Sequence, residues 1–237
     1  MQSLNPLWRT FIFIIAASFL TAAAIIYVEW QNIKSEASKE LLYANHIMTS
    51  SIQSVFHKNE ALLKMLGERL VELGALQYPD SLSWNLVDNL LKDNPELAGI
   101  GLADPSGQLV LTSFNIDRKK LPNLLETPET AGTFKQALNS KSMVVGRTYY
   151  MKALEQWLIP LRYRINDAEG KVTAVMTTGL NLDSAQILWS SMHLPEHMQA
   201  VIIREDLYRQ YVSERLAGDA ETLYTEPVSN SKYDQFE

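Results

Sequence analysis

The chain has 237 residues, 46% of them hydrophobic and 20% charged, and a formal net charge of −6. This is globular composition with no general basic field for nucleic acid. Cysteine is absent, which excludes disulfides, cysteine-based zinc sites and thiol catalysis together. The histidines His46, His57, His193 and His197 follow no metal-binding spacing; His193 and His197 are four apart, but Pro195 interrupts any helix that would align them. No metal or cofactor is implied.

Residues 10–28, TFIFIIAASFLTAAAIIYV, carry no charge. As a helix they extend about 28 Å, enough to span a hydrocarbon core. Trp8 on one side and Tyr27 with Trp30 on the other occupy interfacial positions. The small residues Ala22, Ala23 and Ala24 run on into IIYV, unlike a signal-peptide cleavage site, so the segment reads as an uncleaved anchor in the lipid bilayer. Arg9 precedes the span and Glu29 follows it. The positive-inside rule therefore expects residues 1–9 in the cytoplasm and the remainder outside.

Apolar residues then recur at Ile33, Ala37, Leu41, Ala44, Met48, Ile52, Val55, Leu62, Leu66, Leu70 and Leu73, with Asn59 as the polar member of the stripe. Steps of mostly three and four predict an amphipathic helix over 30–75, closed by Gly74 and Pro79. Its leucine-rich C-terminal half is suited to covering a sheet. The weaker N-terminal half suits a stalk or a homodimer contact. A second helix is expected in DSLSWNLVDNLLKD, capped by Asp80 or Ser81 and ended before Pro95.

Beyond it the period changes to two. LAGIGLA, DPSG and QLVLTSF form a β-hairpin with its turn residues in place. A polar connection, NIDRKKLPNLLETPE, leads to a helix over 130–139. SMVVGRTYYM, EQWLIPLRYRI and KVTAVMTTGLNL then read as a three-stranded meander, followed by a short helix in DSAQILWSSM. The expectation is an α+β fold, with five antiparallel strands and helices on one face of the sheet.

Taken together, the anchor, long helix, DPSG hairpin, helical connection and meander resemble the extracytoplasmic PAS-like sensor modules of the PDC or Cache family. Such modules are the input regions of bacterial chemoreceptors, sensor kinases and diguanylate cyclases. GRTYYMKALEQWLIPLRYRI and VTAVMTTGL are most similar to those on diguanylate cyclases and phosphodiesterases. The resemblance implies a bacterial inner-membrane receptor with a periplasmic sensor module over 76–192 and an output domain beyond residue 237. It implies no enzyme activity in this chain itself.

Residues 98–110 (AGIGLADPSGQLV) and 200–212 (AVIIREDLYRQYV) align without gaps at an offset of 102, with five identities. Both fit strand, turn and returning strand. The second lacks the turn glycine, so a different turn geometry is expected there. Residues 193–237 thus read as an incomplete second module or a tail, and the chain as stopping inside a longer protein.

Alternation places Val145, Arg147, Tyr149 and Met151 on one face of the first meander strand. On the next, Trp157, Ile159, Leu161, Tyr163 and Ile165 form a core face, with Leu158, Pro160, Arg162 and Arg164 opposite. By resemblance to amino-acid-binding Cache modules, Arg147, Tyr149 and Tyr150 would anchor a ligand carboxylate. Asn181, with Asp183 two residues on, stands where that family's amine-binding aspartate falls, and Arg162 would assist. Guanidinium and tyrosine hydroxyl suit a carboxylate or another small anion. The competing reading is a wet sheet face whose arginines pair with surface carboxylates such as Glu155. For function, a small-molecule receptor input stands against a membrane-anchored partner-binding or structural protein. An anchored hydrolase lacks its motifs, and no catalytic residue is assigned.

Overall fold

The computed structural model describes residues 6–182, 199–213 and 219–228. The predicted short helix at 183–192, with Asp183, His193 and His197, lies outside them. One helix, α1, runs Pro6–Glu72. The anchor and the amphipathic helix are therefore continuous; residues 29–32 contain neither glycine nor proline to separate them. The chain divides into two compact units, Met1–Ser50 and Ser51–Glu237. In the first, the apolar side chains of α1 are exposed, and the segment is long and apolar enough to cross a membrane.

In the second unit α1 buries Asn59, Leu63, Gly67 and Leu70. Gly67 lets the helix approach the sheet closely: a Cβ there would lie 2.5 Å from Met176 Cγ. The helix ends in a Schellman motif. Gly74 takes φ 72°, and the Ala75 and Gly74 amides donate to the Leu70 and Val71 carbonyls. Helix α2, Ser81–Asp93, is capped by Asp80, which accepts from the Ser83 amide at 2.8 Å.

The sheet comprises β1 (Leu97–Ala103), β2 (Leu109–Thr112), β3 (Val144–Val145), β4 (Tyr149–Met151), β5 (Gln156–Asn166) and β6 (Val172–Asn181). All pairs are antiparallel in the order β2-β1-β6-β5-β3, with β4 also on β5. The single strand expected at 142–151 is thus two. Val145 opposes Leu161 and Tyr149 opposes Leu158, four steps on one chain against three on the other. That extra residue is a bulge, and it reverses the alternation across it.

One sheet face carries Ile100, Leu102, Ile159, Leu161, Ile165, Ala174, Met176 and Leu180, packed in one core with α1 and α2. The opposite face packs Ala103, Leu109 and Val175 against Phe134 and Ala137 of α3, Pro128–Asn139. Helices therefore cover both faces rather than the expected one, because the connection after β2 folds back over the sheet.

A second hairpin, β7 (Val201–Ile203) with β8 (Arg209–Val212), is followed by α4 (Ala220–Thr225). It repeats the first hairpin at an offset of 100, not 102. Gly101, Leu102 and Ala103 oppose Thr112, Leu111 and Leu109, as Val201, Ile202 and Ile203 oppose Val212, Tyr211 and Arg209. Ser113 Oγ accepts from the Ile100 amide, and Ser213 Oγ from that of Ala200. The turn geometry does not differ as expected. Leu207 takes the place of Gly107, at φ 65° against 89°. A non-glycine residue there costs about 1–2 kcal/mol. Leu207→Gly should relieve this and slow amide exchange across residues 201–212 several-fold, whereas Leu207→Ala should not; hydrogen-exchange mass spectrometry of the two variants checks it.

Candidate functional site

The β5 residues Leu158, Pro160 and Arg162 face a cavity of about 340 Å³ between the sheet and its overlying connection. Its floor is low because Gly99 and Gly179 oppose one another in register, and Gly101 opposes Thr177. A Cβ at Gly101 or Gly179 would meet Leu109 Cδ2 at 2.8 Å or Leu158 Cδ1 at 2.9 Å. The connection supplies Ile116, Asp117, Lys120, Pro122 and Leu124, and β4 with its turn adds Tyr149, Met151 and Leu154. This roof is fastened to α2. Asp88 accepts from the Phe114 amide at 2.8 Å and from Arg118 Nη2 at 2.6 and 2.7 Å, while the Arg118 guanidinium lies 4.3 Å from the Trp84 ring centre.

Arg162 dominates the cavity's electrostatics. It is 1% exposed, and among the described residues no carboxylate lies within ion-pair distance of it. Nη1 donates to Thr133 Oγ1 of α3; Nε is buried without a hydrogen-bond partner. Burial lowers its pKa to about 10, against the small opposing influence of Tyr149, and leaves it cationic at neutral pH. Burial in turn raises the Tyr149 pKa, outweighing the pull of Arg162, so the phenol stays a hydrogen-bond donor. A buried, unpaired guanidinium beside a tyrosine hydroxyl can bind an anion. The neighbouring Arg164 Nη1 donates instead to the Leu138 carbonyl near the end of α3 at 3.3 Å.

Arg147 lies elsewhere. Its Nε donates to Asp206 at 2.9 Å, and its guanidinium stacks on the Tyr208 ring, 3.6 Å from the centre. Arg204 shares Asp206 at 3.1 Å and donates to the Val145 carbonyl at 2.7 Å. Gln210 Nε2 donates to the Gly146 carbonyl, and Thr148 Oγ1 to that of Gln210, both at 2.8 Å. The second hairpin is thereby seated on the break between β3 and β4. A cleft of about 500 Å³ remains there, bounded by α3, Arg147, Tyr149, Asp206, Tyr208 and Tyr224.

Of the residues expected at a ligand site, Tyr149 and Arg162 line the first cavity, while Arg147, Tyr150 and Asn181 are not among its lining. Tyr150 packs edge-on against Trp157, whose ring also meets Tyr224. Asn181 opposes Leu158 in the β5–β6 ladder, and its amide donates to the Glu96 carbonyl. Sequence reasoning did not single out the floor glycines or the roof residues Asp117 and Lys120. The only signal available was the unusual recurrence of glycine in LAGIGLA and TTGL.

No family model matches the sequence, and no curated protein matches it. Solved structures do. The ligand-binding domain of the Pseudomonas fluorescens chemoreceptor CtaA, in complex with L-serine, is 16% identical with a TM-score of 0.57, over 80% of this chain and 75% of that one. The ligand-binding domain of the Campylobacter jejuni chemoreceptor Tlp3, in complex with L-valine, is 16% identical with a TM-score of 0.54, over 78% and 72%. The extracellular domain of vpHK1S-Z8, named as a histidine kinase, is 12% identical with a TM-score of 0.60, over 80% and 73%. The fold is that of receptor sensory domains.

The hairpin contacts carry a prediction of their own. Burial raises the Asp206 pKa, but the Arg147 hydrogen bond and the charge and hydrogen bond of Arg204 outweigh it, for a net lowering below 3.8. A depressed carboxylate pKa stabilises above the unfolded value and loses that contribution as pH falls through the folded one. The opening equilibrium across 201–212, read from hydrogen exchange corrected for its intrinsic pH dependence, should therefore be unaffected by this pair down to about pH 5 and rise below about pH 4. Arg147→Ala should raise it at neutral pH, with a coupling to Asp206→Ala of about 1 kcal/mol or less for so exposed a pair.

Proposed function

We propose that this chain is the sensing input region of a membrane-anchored signal-transduction receptor, and that its ligand is a small anion, in the first place a carboxylate, held by Arg162 and Tyr149. The observation that carries the reading is Arg162: a cation 1% exposed, with an unpartnered Nε, on the wall of a 340 Å³ cavity. Ligand sites in folded domains are concave, largely apolar and furnished with a few directed polar groups, and cavities of this size are typical of them. The receptor folds support the same assignment, and the bound ligands of CtaA and Tlp3 are carboxylate-bearing molecules.

In this reading α1 anchors the protein in a bacterial inner membrane with residues 1–9 in the cytoplasm, and residues 76–192 form a periplasmic module of the PDC/Cache kind. The exposed apolar positions Ile33, Leu41 and Leu42 suit a homodimer contact along α1. The hairpin at 201–212 begins a second module. Ligand binding shifts the population of module states, and α1, packed on the sheet through Gly67, transmits the shift. The output lies beyond residue 237, with a diguanylate cyclase or phosphodiesterase favoured by the likeness of GRTYYMKALEQWLIPLRYRI.

The test is thermal unfolding of the full chain in nanodiscs against a panel of small carboxylates and inorganic anions. A ligand at about 100 times its Kd adds about 2.7 kcal/mol, a shift of several degrees. Arg162→Met should retain the fold and lose the shift; Arg147→Ala should keep it. Equal stabilisation of wild type and Arg162→Met, or no stabilising anion, would overturn the assignment.

A further inference from the structure

We infer that the ligand is a monocarboxylate with an apolar body and no charged amine. This rests on the reading of the Arg162 cavity as the ligand site and narrows the chemistry it accepts. The cavity offers one buried cation, Arg162, and two neutral hydroxyl donors, Tyr149 and the half-buried Thr177 that opposes Arg162. The apolar part of the lining is Ile116, Leu124, Met151, Leu154, Leu158 and Pro160. A single carboxylate satisfies the guanidinium, while an apolar body removes these walls from water.

An ammonium group has no comparable place. Among the described lining residues the one carboxylate is Asp117. It is exposed, accepts from the Lys119 amide at 2.9 Å, and shares the roof with the cation Lys120. Thr112 and Thr178 also line the cavity, but their hydroxyls donate to the Ile100 and Gly99 carbonyls at 3.2 and 2.6 Å. A buried ammonium would thus lie near Arg162 without an anionic partner, and an unpaired buried charge is strongly unfavourable. A second carboxylate on the ligand would meet only Lys120, an exposed cation whose attraction water screens, and would gain little there.

The experiment uses four probes with the full chain in nanodiscs, titrated calorimetrically: 4-methylpentanoate, leucine (the same skeleton with an α-amine), 4-methylpentan-1-ol (the same skeleton without the carboxylate) and succinate. The expected result is that 4-methylpentanoate binds at least about tenfold tighter than each of the others, a difference of about 1.4 kcal/mol, and that Arg162→Met abolishes its binding. Leucine or succinate binding as tightly as 4-methylpentanoate would overturn the inference while leaving the carboxylate receptor intact. The alcohol binding as tightly as the acid, with Arg162→Met indifferent, would overturn both. Failure of all four to bind would overturn the inference, and the wider anion panel then decides the receptor reading separately.

Discussion

One extra residue between Val145 and Tyr149 decides what this sheet edge can do. Were the ladder regular from Val145 opposite Leu161, Tyr149 would oppose Trp157 and turn toward the α1 side. With the bulge it opposes Leu158 and turns to the cavity, on the side of Arg162. The Gly146 carbonyl faces Pro160, which has no N–H, and the Val145 carbonyl points away from β5, so the ladder satisfies neither; Gln210 and Arg204 bond them instead. A buried peptide carbonyl needs such a partner. The bulge therefore shapes the cavity, while the carbonyls just before it seat the second hairpin.

Arg162 is the other constraint. A buried guanidinium without a counter-charge is costly, and a protein that kept it only for packing would be better served by an apolar side chain of similar volume. Its bond to Thr133 ties β5 to α3, and Arg164 holds the same helix nearer its C-terminus. Thr133 also borders the cleft under the second hairpin, and Tyr149 borders both spaces.

The internal repeat shows how sequence identity can mislead while the pattern beneath it holds. The five identities at an offset of 102 align Asp104 with Asp206, yet the hydrogen-bond ladders superpose at 100, where Arg204 stands for Asp104 and Leu207 for Gly107. A shift of two preserves the side-chain alternation of a strand, so the hairpin was legible from either alignment. The turn was not. In the first hairpin Asp104 closes the turn by accepting from Ser106 and Gln108; in the second, Asp206 sits two places later and is available to Arg147 and Arg204.

The sequence by itself determined the elements: an uncharged stretch long enough to cross a bilayer, a helix of period 3.6 closed at Gly74, strands of period two with turn residues between them, and hence an α+β fold. These follow from local periodicity, capping and turn chemistry, which act over a few residues. It also placed Tyr149 and Arg162 among the ligand candidates. Only the tertiary structure separated them from Arg147, because strand alternation within 142–151 gives Arg147 and Tyr149 one face and carries no sign of the bulge between them. The roof over the cavity was likewise invisible. Whether a polar connection such as NIDRKKLP lies in solvent or across a sheet depends on Asp88 and Trp84, some thirty residues away, reaching Arg118, and on floor glycines from two strands meeting in register.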